Sequence, residues 1–180
     1  MRRLLVLLLF LATAVPAAAY AERAGPGPDG TLAVRDARGK VQMTVKGSLI
    51  GRLANGSITI EELAPDDETE PVVRGYETFK WSKNGNVRTY TGKNVRFRLI
   101  GGRYRVVFNG KGLFFSLVGK GRVTLDGNGS VADGIFYDGF YSLNGGEEES
   151  LPDDAQSFNL TPTPQPPSPP PPPPRPSPSS

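Results

Sequence analysis

The chain has 180 residues, with 21 Lys and Arg against 18 Asp and Glu, and contains neither His nor Cys. The missing imidazole excludes Ser-His triads, His metal sites and histidine pH switches, and the missing thiol excludes disulfides, Cys nucleophiles and Cys zinc sites. Catalysis would fall to carboxylates, Lys, Tyr or a Ser-Lys pair, and no Ser stands three residues before a Lys.

Residues 1–21 read as a secretory signal peptide. Arg2 and Arg3 form a charged start, Leu4 to Ala14 an apolar stretch, Pro16 a break, and Ala17, Ala19 and Ala21 offer small residues to a peptidase. The apolar run is shorter than the ~17 to 25 residues of a membrane-spanning helix, so cleavage is expected, with no stable membrane anchor left afterwards. Without Arg2 and Arg3 the balance is 19 bases against 18 acids, which does not support a globally basic, nucleic-acid-binding protein. The expected location is secreted or cell envelope.

Residues 22–30 read as a flexible lead-in and 31–160 as one folded β domain. Between Pro71 and Pro152 the chain has no proline but 15 glycines, many in Asn-Gly, Asp-Gly or Gly-Gly pairs that suit tight strand turns. Segments 31–35, 40–46, 48–53 and 57–63 read as strands, the last two joined at Asn55-Gly56. Residues 64–70 read as an acidic loop with at most one helical turn. A hairpin at Asn84-Gly85 would oppose Trp81 to Arg88 and Phe79 to Tyr90. One at Gly101-Gly102 would oppose Leu99 to Tyr104 and Phe97 to Val106, and one at Asn109-Gly110 would oppose Val106 to Leu113. Both of the latter bury the same apolar face and leave Arg96, Arg98, Arg103 and Arg105 outside. Later strands are expected at 122–125, 134–137 and 140–143. The predicted fold is all-β, a single antiparallel sandwich or partly open barrel built of short hairpins. Ser48 to Arg52 (SLIGR) echoes Ser116 to Lys120 (SLVGK), which keeps a duplication or a short β-solenoid as the alternative.

Residues 161–180 contain 12 of the 18 prolines and no aliphatic or aromatic side chain. They are expected to form a disordered proline-rich tail favouring extended polyproline II.

Charge is segregated along the chain. Residues 61–70 carry six acids and no base, 71–125 twelve bases and one acid, and 126–154 eight acids and no base. Arg96, Arg98, Arg103 and Arg105 on one outer face would repel unless an anion covers them. Either the acidic segments 66–70 and 147–154 fold back over that face, or it is open to an external anionic wall polymer or surface.

Phe79, Trp81 and Tyr90 would share a strand face that could stack on sugar rings, although the single Trp of a small domain is expected in the core. Asp126, Asn128 and Ser130 are spaced like the start of a calcium loop, but Val131 and Tyr137 stand where an EF-hand needs Gly and Glu. Glu61, Glu62 and the 66–70 run are the carboxylates a glycoside hydrolase would draw on. No catalytic residue and no cofactor is assigned.

The stretches VRFRLIGGRYRV, SLVGKGRVTLDG and YSLNGG resemble uncharacterised secreted β-rich proteins of high-GC Gram-positive bacteria over about residues 31–160. The resemblance implies export and carries no activity. In texture the Gly-punctuated strands are also similar to bactofilin-type solenoids, without their regular rung period. The expected function is a non-catalytic exported module that binds an anionic envelope polymer through its arginine face. The alternatives are a self-associating structural protein of the envelope and a carboxylate-based hydrolase.

Overall fold

The computed structural model describes residues 29–64, 70–82, 85–129, 131–132 and 135–160. The signal peptide, nearly all of the lead-in, most of the acidic loop, Lys83, Asn84, Ser130 and the proline-rich tail lie outside the described residues.

Ten strands and no helix occur among the described residues: β1 (Gly30–Glu62), β2 (Val72–Arg74), β3 (Thr78–Trp81), β4 (Val87–Leu99), β5 (Arg103–Gly127), β6 (Val131–Ala132), β7 (Ile135–Phe136), β8 (Phe140–Leu143), β9 (Glu149–Ser150) and β10 (Gln156–Leu160). All strand pairs are antiparallel. The main sheet has eight strands, follows the order β10-β5-β1-β4-β2 with β3, β8 and β9 attached at its margins, and does not close. The all-β, open antiparallel architecture is the one that the turn chemistry predicts. Its antiparallel ladders are not those of a solenoid, whose rungs pair in parallel.

The connectivity differs from a chain of short hairpins. β1 runs unbroken through Asn55-Gly56, and β5 runs unbroken through Asn109-Gly110. Gly101-Gly102 does not reverse the chain. Leu49 pairs with Leu99 and Lys46 with Arg103, so β4 and β5 follow one another along the same edge of β1, with the two glycines as a bulge between them. The bulge is pinned where the Gly101 amide donates to Ser48 Oγ and the Gly47 amide to the Gly102 carbonyl. Only the hairpin at Asn84-Gly85 pairs as predicted, Phe79 with Tyr90 and Trp81 with Arg88.

The result is a two-stranded ribbon coiled upon itself. Along one edge of β1, Gly30 to Glu61 meet Gly119 back to Val87; along the other, Gly39 to Glu62 meet Gly127 back to Tyr104. Coiling demands sharp bends, and these occur where glycines meet. Gly92, Gly56, Gly110, Gly39 and Gly127 stand in register across neighbouring strand passages, and Gly30, Gly119 and Gly47 form a second such row. Gly39, Gly56 and Gly110 have φ between 128° and 156°, a region side-chain-bearing residues rarely enter. A Cβ on Gly56 would run into the Asn109 carbonyl, and one on Gly110 into the Asn55 carbonyl.

Bending folds the inner face into one core. Phe97 and Phe108, on opposite sides of the first glycine row, pack with ring centroids 4.8 Å apart, and Phe108 stacks on Phe115 at 5.6 Å. Leu53, Ile58, Val95, Leu99, Val106 and Leu125 fill the space around them with no exposed surface. Each such side chain contributes ~1.5 to 3 kcal/mol relative to remaining in water. Phe97, Leu99, Tyr104 and Val106 are all buried, as period-two alternation predicts.

Candidate anion-binding groove

Because β1 lies beside both β4 and β5, the four arginines of the predicted face divide. Arg96 and Arg98 on β4 face the outside between β1 and β2. Arg105 on β5 stands opposite Glu61 and forms an ion pair with it at 2.6 Å. Arg103 is exposed and stands opposite Lys46. The single Arg96-Arg98-Arg103-Arg105 patch is therefore corrected: it required β4 to pair with β5, and β1 prevents that.

Arg96 and Arg98 instead join arginines from other strands. Arg96 is in register with Arg52 on β1 and with Arg74 on β2, and Arg98 with Ile50 and Val72. Beyond β1 the same two rows continue into Phe114 and Ser116 of β5. These rows line a groove of about 870 Å³ whose far wall carries Arg35. Among the described residues its lining contains no acidic side chain. Arg52 Cζ lies over the Phe114 ring at 4.6 Å from the centroid, a cation–π contact that holds the guanidinium against the floor. Arg35 is paired with Glu148 at 3.1 Å. The other ion pairs among the described residues join Arg105 to Glu61 and Arg88 to Glu62, and none reaches Arg52, Arg74, Arg96 or Arg98.

One side of the groove is apolar. Ile50 is 56% exposed and Val72 46%, and Val118 and Ile100 continue the exposed strip beside Arg98. Isolated exposed aliphatics are ordinary, but Ile50 and Val72 in the groove, with Ile100 and Val118 in an adjoining pocket that shares Ile50, Arg98 and Ser116 with it, form an amphipathic surface beside the arginines.

Among the described acidic residues, one reaches this surface through an ion pair. Glu61 and Glu62 are spent on Arg105 and Arg88 beyond the groove, and Glu148 reaches Arg35 at its margin. Glu149 accepts a hydrogen bond from the Tyr141 hydroxyl at 2.7 Å. Burial of that phenol, together with the hydrogen bond and charge of Glu149, pushes its pKa up to about 12. Residues 66–68 lie outside the described residues.

Phe79, Trp81 and Tyr90 do come together, with Tyr76 added. Phe79 packs against Tyr90 at 4.9 Å and Trp81 at 5.9 Å. The expectation of a core Trp is corrected. Trp81 is 57% exposed because β3 is a short edge strand that pairs only with β4 among the described residues and whose four residues are all exposed. Burial raises the Tyr90 pKa, with the nearby Arg88 opposing it.

Of the calcium-loop residues, Asp126 stands opposite Lys40, Asn128 is exposed, and Ser130 lies outside the described residues. Among the described residues no group of three acids could hold a metal ion. Glu61 and Glu62 are sequential strand residues, directed to opposite sides of the sheet and each engaged by a different arginine. They do not converge as a hydrolytic pair.

Sequence reasoning missed Arg35, Arg52, Arg74, Ile50, Val72 and Phe114. A signal was present: Ile50-x-Arg52 and Val72-x-Arg74 repeat the spacing of Arg96-x-Arg98, marking short strands with one charged outer face. Comparison with protein-family models, with curated proteins and with solved structures gives no match. The groove is therefore interpreted on its own chemistry.

Proposed function

We propose that the protein is an exported, non-catalytic binding module that holds an anionic ligand of the cell envelope in the Arg52-Arg74-Arg96-Arg98 groove. The observation that carries this reading is the row Arg74, Arg96, Arg52, three arginines directly opposite one another on adjacent strands. Like charges in that arrangement destabilise a sheet, whereas an anion placed across them turns the repulsion into charge-assisted hydrogen bonds. The neighbouring Ile50, Val72, Ile100 and Val118 favour a ligand with an apolar part, such as an anionic lipid or a lipid-linked polymer, over a wholly hydrophilic polyanion.

The test is co-sedimentation with phosphatidylglycerol vesicles, with phosphatidylcholine vesicles and soluble poly(glycerol phosphate) as comparisons. The expected result is salt-sensitive binding to phosphatidylglycerol that falls at least ~10-fold in Arg52→Gln/Arg96→Gln and is kept in Arg103→Gln/Arg105→Gln. Binding indifferent to salt and to the groove variants would overturn the reading. Equal binding to the soluble polymer would retain the anion site and remove the apolar requirement.

The second reading, self-association, is supported by the open sheet, in which β10 pairs only with β5 among the described residues. An unpaired strand edge is a template for another chain. Sedimentation equilibrium giving a monomer at all concentrations would remove it.

A further inference from the structure

The exposed aromatic cluster on β3 is built differently from a sugar platform. Stacking on a pyranose needs one flat open ring face, whereas here the rings are set at angles: 46° between Tyr76 and Phe79, 61° between Phe79 and Trp81, and 62° between Tyr76 and Tyr90. The Trp81 indole N–H is already committed to the Gly85 carbonyl at 2.5 Å, and the Arg88 guanidinium lies 5.1 Å from its ring centre. Rings tilted against one another, rather than one open platform, match the ridged surface of a polyproline II strand, whose prolines seat between aromatic side chains.

The chain carries such a ligand. We infer that the proline-rich segment Thr161 to Ser180 docks on the cluster formed by Tyr76, Phe79 and Trp81 of the same molecule. The segment contains 12 prolines, Arg175 and no acid, and exposed Glu77 adjoins Tyr76 at one end of a cluster that also carries Lys80 and Arg88. Geometry permits the reach. Trp81, Arg88, Ile60, Val106, Met43, Val123 and Phe158 form one continuous row across the sheet, so β3 and β10 are its two margins and Leu160 ends two residues past that row. Six strand steps of ~4.8 Å separate the margins by roughly 29 Å along the sheet. Twenty residues of polyproline II extend roughly 60 Å. Tyr76 is 43% exposed and brings a hydroxyl that can donate to a proline carbonyl.

Trp81 is the only Trp and reports the docking directly. The comparison is its fluorescence in the full chain and in the full chain with Pro169 to Pro174 changed to Ser. The expected result is emission several nanometres further to the blue in the unmodified chain, and a saturable blue shift when a free peptide of residues 161–180 is added to the Ser variant. Phe79→Ser should abolish both responses with the far-ultraviolet circular dichroism unchanged; should it misfold, Tyr76→Ser serves in its place. Identical spectra with no peptide response overturn the inference. So does a shift produced by a chitin oligosaccharide and not by the peptide, or one that grows with protein concentration and thereby reports a second molecule's segment.

Discussion

Arg96 stands in register between Arg52 on one neighbouring strand and Arg74 on the other, so three guanidinium-bearing side chains line up across the outer face. Among the described residues, Arg52 alone in this row has a partner of its own, the Phe114 ring 4.6 Å away. Cross-strand partners have Cβ atoms ~4.5 to 5.5 Å apart, close enough for the repulsion to be felt through water. The arrangement costs folding stability and offers ligand affinity, and the two can be measured separately.

Arg96→Gln keeps most of the side-chain stem and removes the central charge. The ligand-free variant should be more stable than the parent by a few tenths to ~1 kcal/mol at low salt, with the difference shrinking as salt rises. Urea unfolding at two ionic strengths measures this. A destabilised variant with unchanged salt dependence would mean that the row is not under electrostatic strain.

Gly56→Ala and Gly110→Ala each place a methyl group against a facing backbone carbonyl at positive φ. Neither neighbour can move without opening a ladder, so each should cost more than ~2 kcal/mol. Gly129→Ala also has positive φ but meets nothing within 4 Å, and should cost only ~1 kcal/mol. Denaturant midpoints of the three variants give the ranking.

Alkaline titration should weaken the fold through Tyr141. Its pKa is pushed up to about 12 in the folded protein, against 10.0 for the free side chain. The folded state therefore holds this proton more tightly than the unfolded state. The associated stability is complete below pH 10 and is lost as the pH rises towards 12, at most roughly 2 to 3 kcal/mol. Glu149→Gln removes the carboxylate charge and should narrow the window, and Tyr141→Phe should abolish this contribution, as read from unfolding curves across that range.

Core and groove should respond oppositely to truncation. Phe108→Ala removes a ring with no exposed surface and two ring partners, and should cost ~3 to 5 kcal/mol. Ile50→Ala, at a side chain 56% exposed, should cost less than ~1 kcal/mol while weakening vesicle binding. Paired unfolding and vesicle sedimentation assays on both variants supply the contrast.

The inward and outward faces of β4 and β5 were legible in the sequence because side chains alternate along a strand whatever its partner. Phe97, Leu99, Tyr104 and Val106 are therefore inside, and Arg96, Arg98, Arg103 and Arg105 outside, although the strands carrying them do not pair. Pairing was not legible because Gly-Gly suits a bulge as well as a reversal, and both choices bury the same residues. The groove went unread for that reason, since its members come from strands distant in sequence. The glycines held more information than their turn chemistry. Those at 30, 39, 47 and 56, and again at 102, 110, 119 and 127, recur every eight or nine residues and mark the bends of a coiling ribbon. The SLIGR and SLVGK echo has a similar basis: Leu49 pairs with Leu117 and Ile50 with Ser116, so the two motifs are adjacent antiparallel neighbours rather than stacked rungs.

Residues 40–46 of β1 are gripped from both sides by one strand, residues 103–109 along one edge and 120–126 along the other. Neither grip is local, since each joins positions more than fifty residues apart. Nothing near in sequence can nucleate this clasp, so the ordering of β1 must await the arrival of β5, which places the domain among slow, highly cooperative folders. Amide hydrogens throughout the clasp should accordingly exchange together, through global opening, instead of fraying from an end.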